Sequence, residues 1–317
     1  MTDSLTELPA TDGHVHVQLL NGGSMLAEYH KLHKGDPAEK FRMYNWAFFI
    51  RHAEYGRKII WDLGMSSLKI PDDYPPVISN GMWNEAQVEG PHETIAAQIE
   101  RRNGVTSAEI DTVLMSHAHF DHCRPVSETF PNATVYFGPG TLEHCAPGHF
   151  AKPSSMWDGR FFDPEKATEN WKTLEGPWEH FGPFENAMDL FGDGSFWIIQ
   201  APGHMPGNLG ACARLATGDW IVLGSDCCHS RALFVGTKEF ASFQLPDGET
   251  FSLHKDLLAA KDTLDRMRIM ERRYKAHVAL AHDTAWMEKE DDPVLLSLLD
   301  DDFRRDMRMA LKHQAPF

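Results

Sequence analysis

The chain has no apolar run approaching the 18 residues that a membrane-crossing helix needs, and its first thirty residues lack a basic start followed by an apolar stretch. Membrane spans and secretion signals are therefore not expected. Basic residues are scarce: 30 Lys and Arg stand against 46 Asp and Glu, a formal charge of −16. Without a cationic excess there is nothing from which to build a phosphate track, so nucleic acid is not an expected partner. Five cysteines are few and odd in number, and they read as reduced thiols of a cytoplasmic protein rather than a disulfide framework. No fixed repeat or low-complexity tract stands out in the 317 residues, which disfavours solenoids and linker-joined arrays. Against five Cys stand 18 His. That excess points to a metal.

Short strand-like runs alternate with helical patterns in both halves. The early strands are His14 to Leu20, Trp46 to Ile50, Lys58 to Asp62, Val113 to Met115 and Ala133 to Phe137. The later ones are Phe196 to Gln200, Trp220 to Gly224 and His277 to Ala281. Helical spacing marks Glu93 to Arg102 and Ser252 to Arg273, and Thr106 with Glu109 forms a capping box. Asp292-Pro293 opens a last helix that runs to about Leu311. The length allows two domains or one large layered unit, and the pattern predicts two sheets packed together with helices outside, a four-layer α/β arrangement. Two inserts interrupt it, at about 65–90 and 146–194, the second dense in aromatic residues.

The informative segment is Ser116-His117-Ala118-His119-Phe120-Asp121-His122, directly after an apolar strand. Positions two apart in extended chain point the same way, so His117, His119 and Asp121 can converge while His122 turns elsewhere. Imidazole and carboxylate together suit zinc and its first-row neighbours. Cys227-Cys228 beside His229 raises a Cys–His nucleophile as a weaker reading.

H-x-H-x-D-H at a strand end resembles the signature of the metallo-β-lactamase superfamily. Pro202-Gly203-His204-Met205-Pro206-Gly207 resembles that family's second His element, Leu223-Gly224-Ser225-Asp226 its strand ending in a bridging Asp, and Ala279-Leu280-Ala281-His282 its last His. Asp62-Leu63-Gly64 resembles the early Asp-x-Gly that supports the site from behind. The resemblance implies an αββα sandwich of two mixed β-sheets in a single domain over 1–317, and two divalent ions per chain, zinc first among the candidates. His117, His119 and His204 would hold one ion, Asp121, His122 and His282 the other, with Asp226 bridging. Two ions sharing a hydroxide would open a substrate ring, with Asp121 passing the proton to the leaving atom.

Within the superfamily the chain is most similar to the lactonase branch that opens acyl-homoserine lactones. It departs from that branch at Met205 and Asn208, and His229 stands where a substrate-polarising Tyr is common. A small-molecule cyclic ester is the expected substrate, with His229 as the polarising donor. The alternative is a ring amide or cyclic carbamate such as a benzoxazolinone. A thioesterase and a non-catalytic metal-binding protein are less favoured. Trp157, Phe161, Trp171 and Trp178 are expected to line the substrate pocket as part of an aromatic lid formed by the two inserts.

Overall fold

The computed structural model describes residues 6–67 and 74–311. The chain divides into two compact units. Unit 1 takes in the described residues of Met1–Val15, Ala27–Met43 and Gly176–Phe317, and unit 2 those of His16–Leu26 and Tyr44–Glu175.

Unit 2 is built on a six-stranded sheet, ordered β1 (His16–Glu28), β2 (Lys40–His52), β3 (Arg57–Trp61), β4 (Thr112–Leu114), β5 (Thr134–Phe137) and β6 (Trp171–Thr173). β2 and β3 are antiparallel, whereas β3, β4, β5 and β6 run parallel, so the sheet is mixed. Every residue of β4 is buried, as a central strand covered on both faces requires. Asp111 fixes the start of β4 against β3: its carboxylate accepts from Arg57 Nη2 and from the Lys58 amide, both at 2.8 Å. The helix Ile95–Asn103 begins where Thr94 accepts the Ala97 amide and ends at Gly104, whose φ of 64° is the left-handed turn that glycine takes without strain. The Thr106–Glu109 capping box is present on a single turn, Ser107–Glu109.

Unit 1 carries the second mixed sheet. β7 (Glu179–Phe181), β8 (Phe184–Asp189), β9 (Phe196–Gln200), β10 (Leu209–Arg214) and β11 (Trp220–Leu223) pair antiparallel in succession. A separate hairpin joins β12 (Phe243–Gln244) to β13 (Thr250–Phe251), and β14 (His277–Ala279) returns to lie parallel to β11. The helix Leu257–Tyr274 lays Ala260, Leu264, Met267 and Met270 against the core that contains Val222 and Val278. It starts later than its apolar spacing predicts. Asp256 caps it by accepting from Leu258 and Ala259, while the Lys255 and Asp256 amides donate to the carbonyls of His204 and Gly203. The last helix also departs from expectation. Asp292 and Pro293 do open it, but it stops at Leu296, and a new helix, Asp301–Leu311, starts where Asp300 accepts the Phe303 amide.

The segment 146–194 is more regular than its proline and aromatic content predicts. It contributes β6 to one sheet and β7 and β8 to the other. Phe181 and Phe184 are strand residues buried in the unit 1 core. In the earlier insert, residues 68–73 lie outside the described residues. Among the described ones, Met65, Tyr74, Ile78 and Val88 form a buried cluster around Phe120.

Candidate metal centre

In unit 2 the H-x-H-x-D-H segment is the loop that leaves β4. Because β3 and β4 are parallel and paired at Trp61 and Leu114, the residues that follow each strand emerge side by side. Asp62 uses this placement. Its Oδ1 accepts the Ser116 amide at 2.7 Å, and its Oδ2 accepts the Ser116 hydroxyl at 2.7 Å and the Nδ1–H of His122 at 2.9 Å. Gly64 has a φ of 61°, and a Cβ there would lie 2.3 Å from the Gly22 Cα, so the Asp-Leu-Gly order is a steric requirement. His117 lies 4.7 Å from His119 and 4.2 Å from His122 between ring centroids. The Oδ2 of Asp121 is 3.4 Å from His122 Nε2 and 3.3 Å from Asn45 Nδ2, which donates to it. Asn45 is a buried β2 residue that also donates to the Asp121 carbonyl. Nothing in its sequence context distinguished it.

In unit 1 the second set also leaves a parallel pair. Leu223 of β11 pairs with Ala279 of β14, and Asp226 and His282 each stand three residues beyond that pair. Three imidazole nitrogens surround the Asp226 carboxylate: His282 Nε2 is 3.2 Å from Oδ1, while His229 Nε2 and His204 Nε2 are 3.2 and 3.4 Å from Oδ2. His204 is carried by a turn that Asn208 closes by donating to the Ala201 carbonyl. Gly203 is needed there, since a Cβ would meet the backbone of Ala260 at 2.3 Å. A fifth group, His254, packs edge-on against His204 and His229 at 5.3 and 5.4 Å. It stands among residues whose spacing reads as helix, so no sequence signal singled it out.

The four aromatic residues expected at the pocket are dispersed. Trp157 stacks on His119 with centroids 5.6 Å apart and planes 14° from parallel. Phe161 is fully buried against Phe137, and Trp171 packs edge-on to the same ring at 5.7 Å. Trp178 lies in unit 1, beside Gly176. Cys227 and Cys228 are buried, and burial drives both thiols up, that of Cys228 to about 12. A thiolate nucleophile is therefore not available.

The donor set fits a metal. Two atoms bound to one ion at about 2.0–2.1 Å and near the tetrahedral angle are about 3.4 Å apart. The nitrogen–oxygen separations around Asp226 and between Asp121 and His122 are 3.2–3.4 Å. His122, held at Nδ1 by Asp62, presents Nε2, the arrangement in which a carboxylate orients a ligating imidazole.

No family model matches the chain. It is 27% identical over 321 residues to the metallo-hydrolase mfmC of Annulohypoxylon moriforme, covering 89% of this chain and 82% of that protein. It is 30% identical over 205 residues to the gamma-lactamase FDB1 of Fusarium pseudograminearum, covering 58% and 45%. A third relative, the cytochrome P450 monooxygenase mpaDE' of Penicillium brevicompactum, is 28% identical over 254 residues, 74% of this chain, but the match spans only 29% of that relative's length. Among solved structures, an N-acyl homoserine lactone hydrolase with N-hexanoyl-L-homoserine at its catalytic metal centre matches 87% of this chain and 96% of its own, with a TM-score of 0.62 at 16% identity. The two mixed sheets and the structural likeness agree: the chain has the metallo-β-lactamase fold.

Proposed function

We propose that the protein is a metal-dependent hydrolase that opens a small cyclic ester. The observation that carries this reading is the Asp226 carboxylate, buried and faced by three imidazole nitrogens at 3.2–3.4 Å. A carboxylate so enclosed is costly without a cation to share. In this reading 1–317 is one hydrolase domain with its two inserts. His117, His119 and His204 would hold one ion, Asp121, His122 and His282 the other, and Asp226 would be shared between them. Zinc is the ion we favour, since imidazole and carboxylate donors suit it. When bound, such a pair of ions acidifies water and offsets charge developing on a carbonyl oxygen.

The chain's own residues supply orientation and proton transfer. Asp62 fixes the His122 ring, and Asn45 fixes Asp121 through its backbone carbonyl and Oδ2. Water adds through its oxygen to the carbonyl carbon, the ring C–O bond breaks, and the Asp121 carboxylate carries a proton from the water to the leaving alkoxide oxygen. Trp157, stacked on His119, offers a flat apolar wall for the ring. A ring amide or cyclic carbamate is the second reading, supported by the 30% identity to the gamma-lactamase FDB1. A cytoplasmic location belongs to the same proposal. It is supported by five free, buried cysteines. No helix among the described residues is long and apolar enough to cross a membrane.

The test is a panel of lactones, lactams and cyclic carbamates of graded ring size, assayed before and after chelation. The reading expects kcat/KM to be highest on one ring class and to vanish on chelation. Hydrolysis that survives exhaustive chelation overturns it, and preference for lactams over lactones selects the second reading.

A further inference from the structure

We propose that His229 is itself a metal ligand, joining Asp226 and His282 at one ion. This deepens the dimetal hydrolase reading and rests on it. Each of the three residues offers one donor atom, and those atoms lie within 4.8 Å of one another. The His229 Nε2 is 3.2 Å from Asp226 Oδ2, the same separation that His282 Nε2 keeps from Oδ1. The two rings are parallel within 5°, with centroids 5.5 Å apart, and their Nε2 atoms face the two oxygens of the same carboxylate.

The His229 ring is enclosed beside the Asp226 carboxylate. His229 is 5% exposed, and its Nδ1 is buried with no hydrogen-bond partner among the described residues. Its other nitrogen already faces Asp226. Burying an imidazole costs free energy, and coordination of the Nε2 that faces Asp226 offsets part of that cost. The backbone gives the ring little room to leave. Ser230, the next residue, caps the helix Arg231–Val235 by accepting the Leu233 amide, and its hydroxyl is 2.7 Å from His33 Nε2. His33 in turn bonds Asp36 through Nδ1 at 2.9 Å.

The test uses the full chain, stripped of metal and titrated with Co(II), and reads affinity and absorption rather than turnover. Wild type should take up two ions. His229→Gln should weaken one of them by about tenfold or more and alter its d–d bands, leaving the other unchanged. His229→Cys should restore two-ion binding and add a thiolate-to-cobalt charge-transfer band, which only direct coordination produces. Circular dichroism of the metal-free variants against metal-free wild type establishes that they fold. Overturning results are a His229→Gln protein that binds both ions with wild-type affinity and bands, or a folded His229→Cys protein without the charge-transfer band. A wild type that never binds two ions instead sinks the dimetal reading on which the inference rests.

Discussion

The Oδ2 of Asp62 accepts the Nδ1–H of His122 at 2.9 Å across sixty residues of sequence, and the same carboxylate holds the amide and hydroxyl of Ser116. One side chain thus fixes both ends of the segment that carries His117, His119 and Asp121. Asp62→Ala leaves three buried donors to find other partners, at about 1–3 kcal/mol each before relaxation. The expected outcome is a clear fall in the denaturation midpoint. Asp62→Asn keeps the volume and should spare more stability while weakening metal affinity about 10–100-fold. Isothermal titration of the metal-free variants measures the second effect and urea unfolding the first.

Gly64→Ala should destabilise the protein by about 3 kcal/mol or more, because the φ of 61° and the 2.3 Å approach to Gly22 act together. Adding the same methyl at Gly81, where nothing lies within 4 Å, should change the unfolding midpoint little. Equal effects at the two glycines would remove the steric account of the Asp-Leu-Gly motif.

Trp157 and Phe161 should separate specificity from packing. Phe161→Ala empties a fully buried site and is expected to cost about 3–5 kcal/mol, with relative turnover across ring substrates unchanged. Trp157→Ala removes the ring stacked on His119 and should reorder kcat/KM across the panel at a smaller cost in stability. If neither variant moves the order of preference, Trp157 is not a pocket wall.

The His33 imidazole is held below the ordinary histidine range by burial, which outweighs the opposing pull of Asp36. The folded state therefore keeps His33 neutral where the unfolded chain begins to protonate, near pH 6.5. Its contribution to stability is complete above that pH and is lost as pH falls from there toward the folded pKa. Urea midpoints measured between about pH 5 and 8 should fall on the acid side, and less steeply in His33→Gln than in wild type.

Metal removal should lower stability as well as abolish hydrolysis, since the buried Asp226 carboxylate and the three imidazoles around it would lose a shared cation. A thermal midpoint unchanged by chelation, in protein confirmed to carry metal beforehand, would contradict this.

Local chemistry alone determined a good deal. The strands β3, β4, β9 and β11 were legible because short apolar runs bounded by polar or glycine residues have few other places to go. The H-x-H-x-D-H cluster was legible because its spacing and its place after a strand are properties of the sequence itself. Asp292-Pro293 and Thr106-Glu109 were legible as caps because capping is a contact between near neighbours. What escaped depends on contacts between residues far apart in the chain. Asn45 reaches Asp121 only because β2 lies in the same sheet, and His254 reaches His204 only because the Lys255 and Asp256 amides dock on the turn at Gly203. The aromatic-rich stretch 146–194 read as irregular because its strands are three to six residues long, too short for a periodicity to show. Their regularity comes from hydrogen bonds donated by neighbouring strands, which only the folded chain supplies.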